Sequence, residues 1–235
     1  MTDFKDVYGE ALKDFHRNGA LQNPLLLHST YGDIEEMPID VFFRTEEDFP
    51  ELEFIALSLC DGKVLDVGAG VGAHVLYLQD RDFDVTALEI SSSACTLMQE
   101  RGVQKIIQED FFELKNQRYD TLLFLMNGIG LAKSIDGFRK LLAQAKTLLT
   151  DKGQLLFDSS NIAYLYDEYR IERPSYYYGE IGYQYEYNAT KGKPFNWLYI
   201  DQETLIKIAH EEAWVVQVLY EDENDQYLVR MEPRK

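Results

Sequence analysis

Through the middle of the chain, segments with the apolar pattern of a strand alternate with segments that have the apolar pattern of a helix. Continuous apolar segments predict strands at 63–67, 85–90, 103–107, 119–126 and 154–157. Amphipathic segments between them predict helices. Strands that alternate with helices are typical of a parallel sheet with helices on both faces, so the pattern predicts an α/β fold.

The last part of the chain has a different pattern. Asp201 can cap a helix, and two apolar segments at 214–220 and 226–231 predict strands. The polar linker between these strands, 221–225, is too short for the crossover that parallel strands need. We therefore expect the parallel sheet to end in one antiparallel hairpin.

An insertion at about 174–200 separates the fifth strand from this last helix. Aromatic residues alternate along its two runs, at Tyr183, Tyr185 and Tyr187 and at Phe195, Trp197 and Tyr199. Each run is predicted to be a strand with one aromatic face. A three-residue loop at 190–192 would place Tyr187 opposite Phe195 and Tyr183 opposite Tyr199, whereas a two-residue loop would break this register.

The N-terminal region precedes the alternating pattern. An amphipathic helix is predicted at 4–17, and residues 20–49 are predicted to be irregular, with Pro50 opening a short helix. This divides the chain into an N-terminal helical and irregular cap, 1–50, and one domain, 51–235, that carries the insertion. One hypothesis is that the irregular segment folds over the functional site as a lid.

A glycine-rich turn follows the first strand of the domain, in the segment VLDVGAGVGAH. Gly68, Gly70 and Gly72 allow a sharp turn and bring bare backbone close to a ligand. Glu89 ends the second strand 21 residues beyond Gly68, where a carboxylate can accept both hydroxyls of a ribose. The segment therefore predicts a nucleoside-binding site.

Two kinds of nucleoside ligand fit this turn. Gly68, Gly70 and Ala73 match the dinucleotide pattern G-x-G-x-x-G/A, which keeps a nicotinamide-dependent oxidoreductase as an alternative. Asp66 argues against it, because a pyrophosphate gains nothing from a carboxylate there, whereas a ligand with a cationic amino group does. Gly72 also gives the spacing G-x-G-x-G.

The segment from Asp66 to Gly72 resembles the first motif, D/E-x-G-x-G-x-G, of the class I S-adenosylmethionine-dependent methyltransferases. The resemblance covers about residues 52–160. It implies S-adenosylmethionine (SAM) as cofactor and S-adenosylhomocysteine (SAH) as product. It also implies a Rossmann-like, seven-stranded sheet with strand order 3-2-1-4-5-7-6 and an antiparallel last strand.

The resemblance also implies a set of cofactor-binding residues. They are Asp66, Gly68, Ala69, Gly70, Gly72, Glu89, Ile90, Asp110, Phe111 and Asn127. In this interpretation glycine backbone accommodates the methionine and ribose, Glu89 binds the ribose, and Asp110 meets the adenine amino group with Phe111 packed nearby. Glu109 is an alternative to Asp110, which is favoured because its position matches the family pattern.

Two polar residues at strand ends are candidates for catalysis. Asn127 follows the fourth strand and Asp158 ends the fifth, at the edge where parallel sheets bind ligands. Asn127 could instead close a backbone turn, and Asp158 could cap the next helix. The family's D/N-P-P-Y segment for amine and base acceptors is not matched after Asn127, so those substrates are not assigned. Asp158 is the candidate general base.

Other residues from the cap and the insertion are candidates for the acceptor pocket. Tyr31, Tyr185 and Trp197 are expected to shape it, with core packing as the alternative. His74 could touch the cofactor and Arg44 could bind its carboxylate. A histidine bonded to nearby backbone and an arginine in a surface ion pair are the favoured interpretations.

The charge and cysteine content limit the possible partners. With 23 basic and 41 acidic residues the net charge is −18, which argues against a general nucleic-acid binder. Two cysteines cannot form a disulfide framework, metal-ligand spacings are missing, and neither a signal peptide nor a membrane span is recognisable. These features predict a cytoplasmic protein, without fixing its oligomeric state.

The sequence therefore predicts an enzyme that transfers a methyl group from SAM to a small-molecule acceptor by in-line displacement. Two alternatives remain open. One is an NAD(P)-dependent oxidoreductase of similar fold, and the other is a non-catalytic SAM-binding sensor or partner subunit. The acceptor and the methylated atom are not predicted.

Overall fold

A seven-stranded mixed sheet forms the centre of the protein in a computed structural model that describes residues 5–32, 34–168 and 170–234. The strands are β1 (Leu25–Ser29), β2 (Glu35–Met37), β3 (Lys63–Val67), β4 (Asp84–Glu89), β5 (Ile106–Gln108), β6 (Tyr119–Phe124), β7 (Leu149–Ser160), β8 (Glu180–Tyr187), β9 (Thr190–Lys191), β10 (Phe195–Leu198), β11 (Trp214–Glu221) and β12 (Gln226–Pro233). The α-helices are α1 (Val7–Asn18), α2 (Glu51–Ser58), α3 (Ala73–Gln79), α4 (Ser92–Glu100), α5 (Ile135–Leu148), α6 (Ala163–Glu168) and α7 (Gln202–Glu211).

The large sheet has the strand order β5-β4-β3-β6-β7-β12-β11. Its first five strands are parallel, and β12 runs antiparallel to both of its neighbours, β7 and β11. Counted along the domain, this is the order 3-2-1-4-5-7-6. The fold class predicted from the sequence is therefore confirmed, including the antiparallel hairpin at the end.

Both faces of the central strands are buried, as continuous apolar strands require. On one face Leu122 and Phe157 pack with Phe138 of α5 and with Trp214. On the other face Leu123 belongs to a separate core with residues of α2, α3 and α4. Because side chains alternate along a strand, one apolar segment supplies both cores. Within the described residues, no helix combines the length and the apolar character needed to cross a bilayer.

A second sheet replaces the irregular structure that was predicted for residues 20–49. β1 and β2 form an antiparallel pair there, and the strand order is β10-β8-β1-β2, with β9 also paired to β8. The prediction was wrong because the partner of β1 is β8, far along the chain: Leu27 pairs with Tyr185, 158 residues later. When a strand is short and its partner is so distant, the neighbouring sequence contains little that indicates the pairing. The N-terminal cap and the insertion therefore share one sheet.

The register of the aromatic hairpin also differs from the expectation. Asn188 and Ala189 form a two-residue turn with φ of +49° and +59°, and β9 pairs with the end of β8. The chain then leaves the ladder, and β10 pairs further along, with Phe195 opposite Tyr183 instead of Tyr187. The shift of four residues is even, so it leaves both aromatic faces on the same side.

The helix α1 connects the second sheet to the large one. Asp6 caps its start by accepting from the backbone N–H of Gly9, and Gly19, with φ of +71°, ends it. Its buried face packs against α4 and against Tyr187 of β8. This position brings the first turn of α1 close to the glycine-rich segment.

Candidate functional site

The glycine-rich turn contains glycines of two kinds. Gly68, Gly70 and Gly72 all have positive φ, of 74°, 55° and 84°, which favours glycine at each position. A Cβ atom on Gly68 would meet none of the described atoms within 4 Å, and one on Gly70 would approach only the Tyr8 hydroxyl and the Phe42 ring. On Gly72 it would lie 2.8 Å from Val103. Gly68 therefore borders open space, Gly70 is buried under Tyr8 and Phe42, and Gly72 allows close packing against Val103 and Met98.

Glu89 ties the glycine turn to the end of β4. One carboxylate oxygen accepts from the N–H of Gly70 at 3.0 Å, and the other accepts from Ile90 at 2.8 Å and Ser91 at 2.9 Å. Burial raises the pKa of Glu89, and these backbone donors offset part of that rise. A carboxylate has about four acceptor positions, so three backbone bonds leave capacity for a further donor such as a ribose hydroxyl.

Asp66 carries an incompletely paired buried carboxylate. The residue is 2% exposed, and its Oδ2 atom has no hydrogen-bond partner among the described residues. Burial raises the pKa of Asp66 to about 6, although the nearby His74 acts in the opposite direction. An unpartnered buried carboxylate is costly, and a cationic group bound at this position would remove much of that cost. These properties fit a ligand that carries an ammonium group.

A buried ion-pair network lies beside Asp66. One oxygen of Glu53 lies 2.6 Å from an Arg44 nitrogen and the other lies 2.7 Å from the His74 Nε2 atom. Burial alone would raise the pKa of Glu53, but the hydrogen bond and charge of His74 and the charge of Arg44 lower it instead. His74 is thus paired with a carboxylate rather than with backbone, and the Arg44 ion pair is mostly buried. Glu53 was missed because its position in an ordinary helical pattern carries no signal.

The residues expected at the adenine differ in exposure. Ile90 is 69% exposed and offers an apolar surface directly after Glu89. Asp110 is exposed, and its Oδ1 atom accepts from the N–H of Phe112 at 2.9 Å. Phe111 is buried and packs edge-on against Phe124, with ring centroids 5.2 Å apart. Ile90 and Asp110 are therefore the accessible members of this group.

The chain makes a strained turn after β6. Met126 and Asn127 both have positive φ, of 58° and 55°. The backbone N–H of Asn127 donates to Asp158 Oδ2 at 2.8 Å, and its carbonyl accepts from the Trp197 indole at 3.1 Å. Its side-chain nitrogen lies 3.4 Å from the Leu198 carbonyl. Asp158 and the insertion together hold Asn127 in this conformation.

Asp158 is buried where β7 meets β12. Its Oδ2 atom also accepts from the side-chain amide of Gln226 at 3.0 Å, while its Oδ1 atom has no partner in the part of the chain that the structure describes. Burial raises the pKa of Asp158 to about 6, against the lowering effect of the hydrogen bonds from Asn127 and Gln226. The polar side chain that accepts at the start of α6 is Asn161, through the N–H of Ala163. Capping therefore does not account for the Asp158 carboxylate.

A cavity of about 560 Å³ opens at the end of β7, where its lining residue Gln226 donates to the buried Asp158. Its lining comes from both sheets and comprises Tyr31, Glu35, Ser160, Ile162, Tyr164, Leu165, Glu168, Tyr183, Tyr199, Asp222, Asn224 and Gln226. The volume lies in the range of small-molecule sites. Within the described residues, no group of three or more His, Cys, Asp or Glu side chains is arranged to hold a metal ion.

Of the three aromatic residues expected in the pocket, Tyr31 lines this cavity and the other two lie elsewhere. Tyr185 stacks on Tyr8 of α1, with ring centroids 5.6 Å apart. The Tyr8 hydroxyl in turn lies close to Gly70 of the glycine turn. Trp197 covers the turn after β6, against Gly130. No sequence signal marks Tyr8, because it occupies one more apolar position of an amphipathic helix.

Comparison with known proteins identifies the family. A family model described as a methyltransferase domain matches residues 65–157. The chain is similar to a SAM-dependent methyltransferase from Bacteroides fragilis, solved in complex with SAH, with 34% identity and a TM-score of 0.90. The match covers 98% of this chain and 96% of the other. The chain belongs to the SAM-dependent methyltransferases. The family, the enzyme class and the SAM cofactor predicted from the sequence are thus confirmed.

More distant structures share the fold of this methyltransferase. CcbJ methyltransferase from Streptomyces caelestis is 14% identical over 80% of this chain and 94% of its own, with a TM-score of 0.61. The glycopeptide N-methyltransferase MtfA, complexed with SAM, is 16% identical over 78% of this chain and 92% of its own, with a TM-score of 0.56. No curated protein matches the sequence.

The raised pKa of Asp66 predicts a pH dependence of stability in the methyltransferase without cofactor. The folded pKa of about 6 lies above the ordinary value of 3.8, so the folded state binds this proton more tightly than the unfolded state. Stability is therefore lost as the pH rises from about 4 to about 6, and the loss is complete above that range. Asp66→Asn removes this titration.

Relative to Asp66→Asn, we expect the wild type to lose about 1 kcal/mol of unfolding free energy between pH 5 and pH 7.5. Urea unfolding of both proteins at the two pH values measures the difference. Asp110→Asn is the matched control, because Asp110 is exposed. An equal pH dependence in wild type and Asp66→Asn would contradict the raised pKa.

Proposed function

We propose that this methyltransferase acts on a small-molecule acceptor that binds in the 560 Å³ cavity beside Asp158. The supporting observation is the position of the cavity. It lies at the carboxyl end of β7, where its lining residue Gln226 donates to Asp158, and Asp158 also accepts from the N–H of Asn127, directly after β6. Since β6 pairs with β3, the strand that leads into the glycine turn, the acceptor and the cofactor would meet at one sheet edge.

The residues on the β3–β4 side would hold the cofactor. The Asp66 carboxylate suits the methionine amino group, and the open space at the bare backbone of Gly68 leaves room for the methionine and ribose. Glu89 has capacity for a ribose hydroxyl, and Ile90 with Asp110 would border the adenine. Bound SAM supplies a methyl group that is already activated on a cationic sulfur.

The protein's own contribution would be alignment and exclusion of water. Holding two reactants in a reactive orientation can lower a barrier by about 7–11 kcal/mol. Tyr8 and Tyr185 lie over the glycine turn, and Trp197 fixes the turn at Asn127. We propose that the cap over 1–50 and the insertion at about 174–200 enclose the reactants, while the rest of 51–235 carries the SAM site. Asp158 is the proposed general base, and Asn127 is its neighbour at the reacting group.

A cavity-filling substitution tests the acceptor site. Wild type and Ser160→Phe are incubated with SAM that carries a deuterated methyl group and with the small-molecule fraction of a cell extract. We expect mass spectrometry to find labelled small molecules with the wild type. With Ser160→Phe we expect at least tenfold less label, because the ring would occupy the cavity, and an unchanged thermal shift on addition of SAH.

The matched control is Glu203→Phe, which places the same ring in a separate cavity of about 600 Å³ at the start of α7. This variant should label small molecules like the wild type. Label found only in protein or nucleic acid, or unchanged labelling by Ser160→Phe, would contradict the proposal. SAH binding without transfer to any fraction would support the non-catalytic alternative instead.

A further inference from the structure

We infer that the acceptor is an amine that is positively charged in solution, and that the cavity beside Asp158 recognises it through tyrosine rings and carboxylates. This inference rests on the proposed function, since it names the acceptor class of the same cavity. Two features of the lining carry it, the sign of its charged groups and the state of its tyrosines, together with the buried Asp158 carboxylate that accepts from the lining residue Gln226.

The charged groups that line the cavity are all acidic. Glu35, Glu168 and Asp222 supply three carboxylates, and no Lys, Arg or His occurs among the described lining residues. Glu35 and Glu168 are exposed, so they lie towards solvent. Negatively charged groups around a concave site raise the local concentration of cations and repel anions. An anionic acceptor, such as a carboxylate or a phosphate ester, is therefore disfavoured.

The tyrosines form a neutral, aromatic part of the wall. The Tyr183 hydroxyl lies 3.4 Å from that of Tyr31 and 3.3 Å from that of Tyr199, and the Tyr31 hydroxyl donates to Glu35 at 3.2 Å. Burial raises the pKa of Tyr31, Tyr183 and Tyr199, so all three stay protonated at neutral pH. Neutral aromatic rings attract ammonium groups, by about 0.5–2 kcal/mol each.

The buried Asp158 carboxylate, which the lining residue Gln226 connects to the cavity, provides the second, independent indication. Asp158 and Ser160 are two residues apart on β7, so their side chains leave the sheet on the same face. Ser160 lines the cavity, and so does Gln226, which donates to Asp158. The Asp158 Oδ1 atom, fully buried and without a partner in the described chain, can accept a proton or a hydrogen bond.

An amine acceptor uses this carboxylate in a balanced reaction. The ammonium group transfers one proton to Asp158, and the freed nitrogen lone pair attacks the methyl carbon. The new N–C bond forms as the C–S bond breaks, with its electron pair going to sulfur. The products are a methylated ammonium ion, neutral SAH and a protonated Asp158, so total charge is conserved. The raised pKa of Asp158 makes it a better proton acceptor than an ordinary carboxylate.

The charge of the labelled product tests the inference. Wild-type enzyme labels the small-molecule fraction of a cell extract with deuterated methyl groups, and the products are separated on a cation exchanger at neutral pH. We expect the labelled products to be retained as cations, with the label on nitrogen in the fragmentation spectrum. Labelled products that are neutral or anionic would overturn the amine assignment and leave the proposed function intact. The absence of labelled small molecules would instead contradict the proposed function.

Two variants then separate recognition from proton transfer, with the purified labelled amine as substrate. Glu35→Gln is expected to raise KM about tenfold and to change kcat little, whereas Asp158→Asn is expected to lower kcat about 100-fold. Glu221→Gln, in the separate cavity near α7, is the matched control and should leave both constants unchanged. An unchanged KM in Glu35→Gln together with an unchanged kcat in Asp158→Asn would overturn the inference. The SAH thermal shift of each variant shows whether the cofactor site is intact.

Discussion

Replacement of Glu89 by alanine is expected to weaken SAH binding by at least about 100-fold. The side chain accepts three backbone hydrogen bonds: one from Gly70, which ties the glycine turn to β4, and two from Ile90 and Ser91 directly after the strand. Its remaining acceptor capacity suits a ribose hydroxyl. Each hydrogen bond to a charged group contributes about 1.5–3 kcal/mol, and 1.4 kcal/mol corresponds to a factor of ten. The lost ribose bond and the lost bond to Gly70 together account for the expected factor. Isothermal titration calorimetry with SAH measures it.

Two further variants make this result specific. Glu89→Gln keeps one acceptor oxygen and should lose less affinity than Glu89→Ala. Glu113→Ala removes an exposed glutamate whose nearby partner is a surface lysine, Lys115, and should bind SAH like the wild type. An affinity in Glu89→Ala within about threefold of the wild type, a difference of less than 1 kcal/mol, would show that Glu89 does not hold the cofactor site.

The second large effect concerns Gly130 and Trp197. A Cβ atom on Gly130 would lie 2.0 Å from the indole nitrogen of Trp197 and 2.2 Å from a ring carbon, so Gly130→Ala must displace the indole. The displaced indole also loses its hydrogen bond to the Asn127 carbonyl. Overpacking of this kind costs about 1–3 kcal/mol. Loss of the half-buried ring in Trp197→Ala costs less than the loss of a fully buried ring, which costs about 3–5 kcal/mol.

The two substitutions are expected to be strongly non-additive. In a Trp197→Ala background the added methyl group of Gly130→Ala meets no indole, so it should cost less than about 0.5 kcal/mol. Urea unfolding of the four proteins of the cycle measures the coupling. Gly128→Ala is the matched control, because a Cβ atom there would lie 3.3 Å from the Phe124 side chain, a much milder contact. Additive costs in the cycle would mean that Trp197 does not pack on Gly130.

Most of what the sequence predicted about the large sheet and the cofactor came from residues that are close together in the chain. The turn at Gly68 and Gly70 follows a buried strand, and Glu89 ends the next one, so one βαβ unit contains the pattern and its spacing. The linker 221–225 is short enough to force an antiparallel hairpin, which β11 and β12 form. Each of these features follows from a constraint on a short stretch of chain: the geometry of a turn, the length of a strand or a linker, or the spacing between two residues.

The second sheet, the hairpin register and the cavity were decided by the tertiary structure. β1 pairs with β8, and Tyr31, Tyr183 and Tyr199 meet around one cavity although about 150 residues separate the first from the others. Glu53 looks like any helical residue until it lies between Arg44 and His74. Hydrogen-bond partners and buried charges at such separations depend on how whole elements pack. The sequence by itself therefore determined the methyltransferase fold and its cofactor, while packing of the two sheets determined the cavity that we propose as the acceptor site.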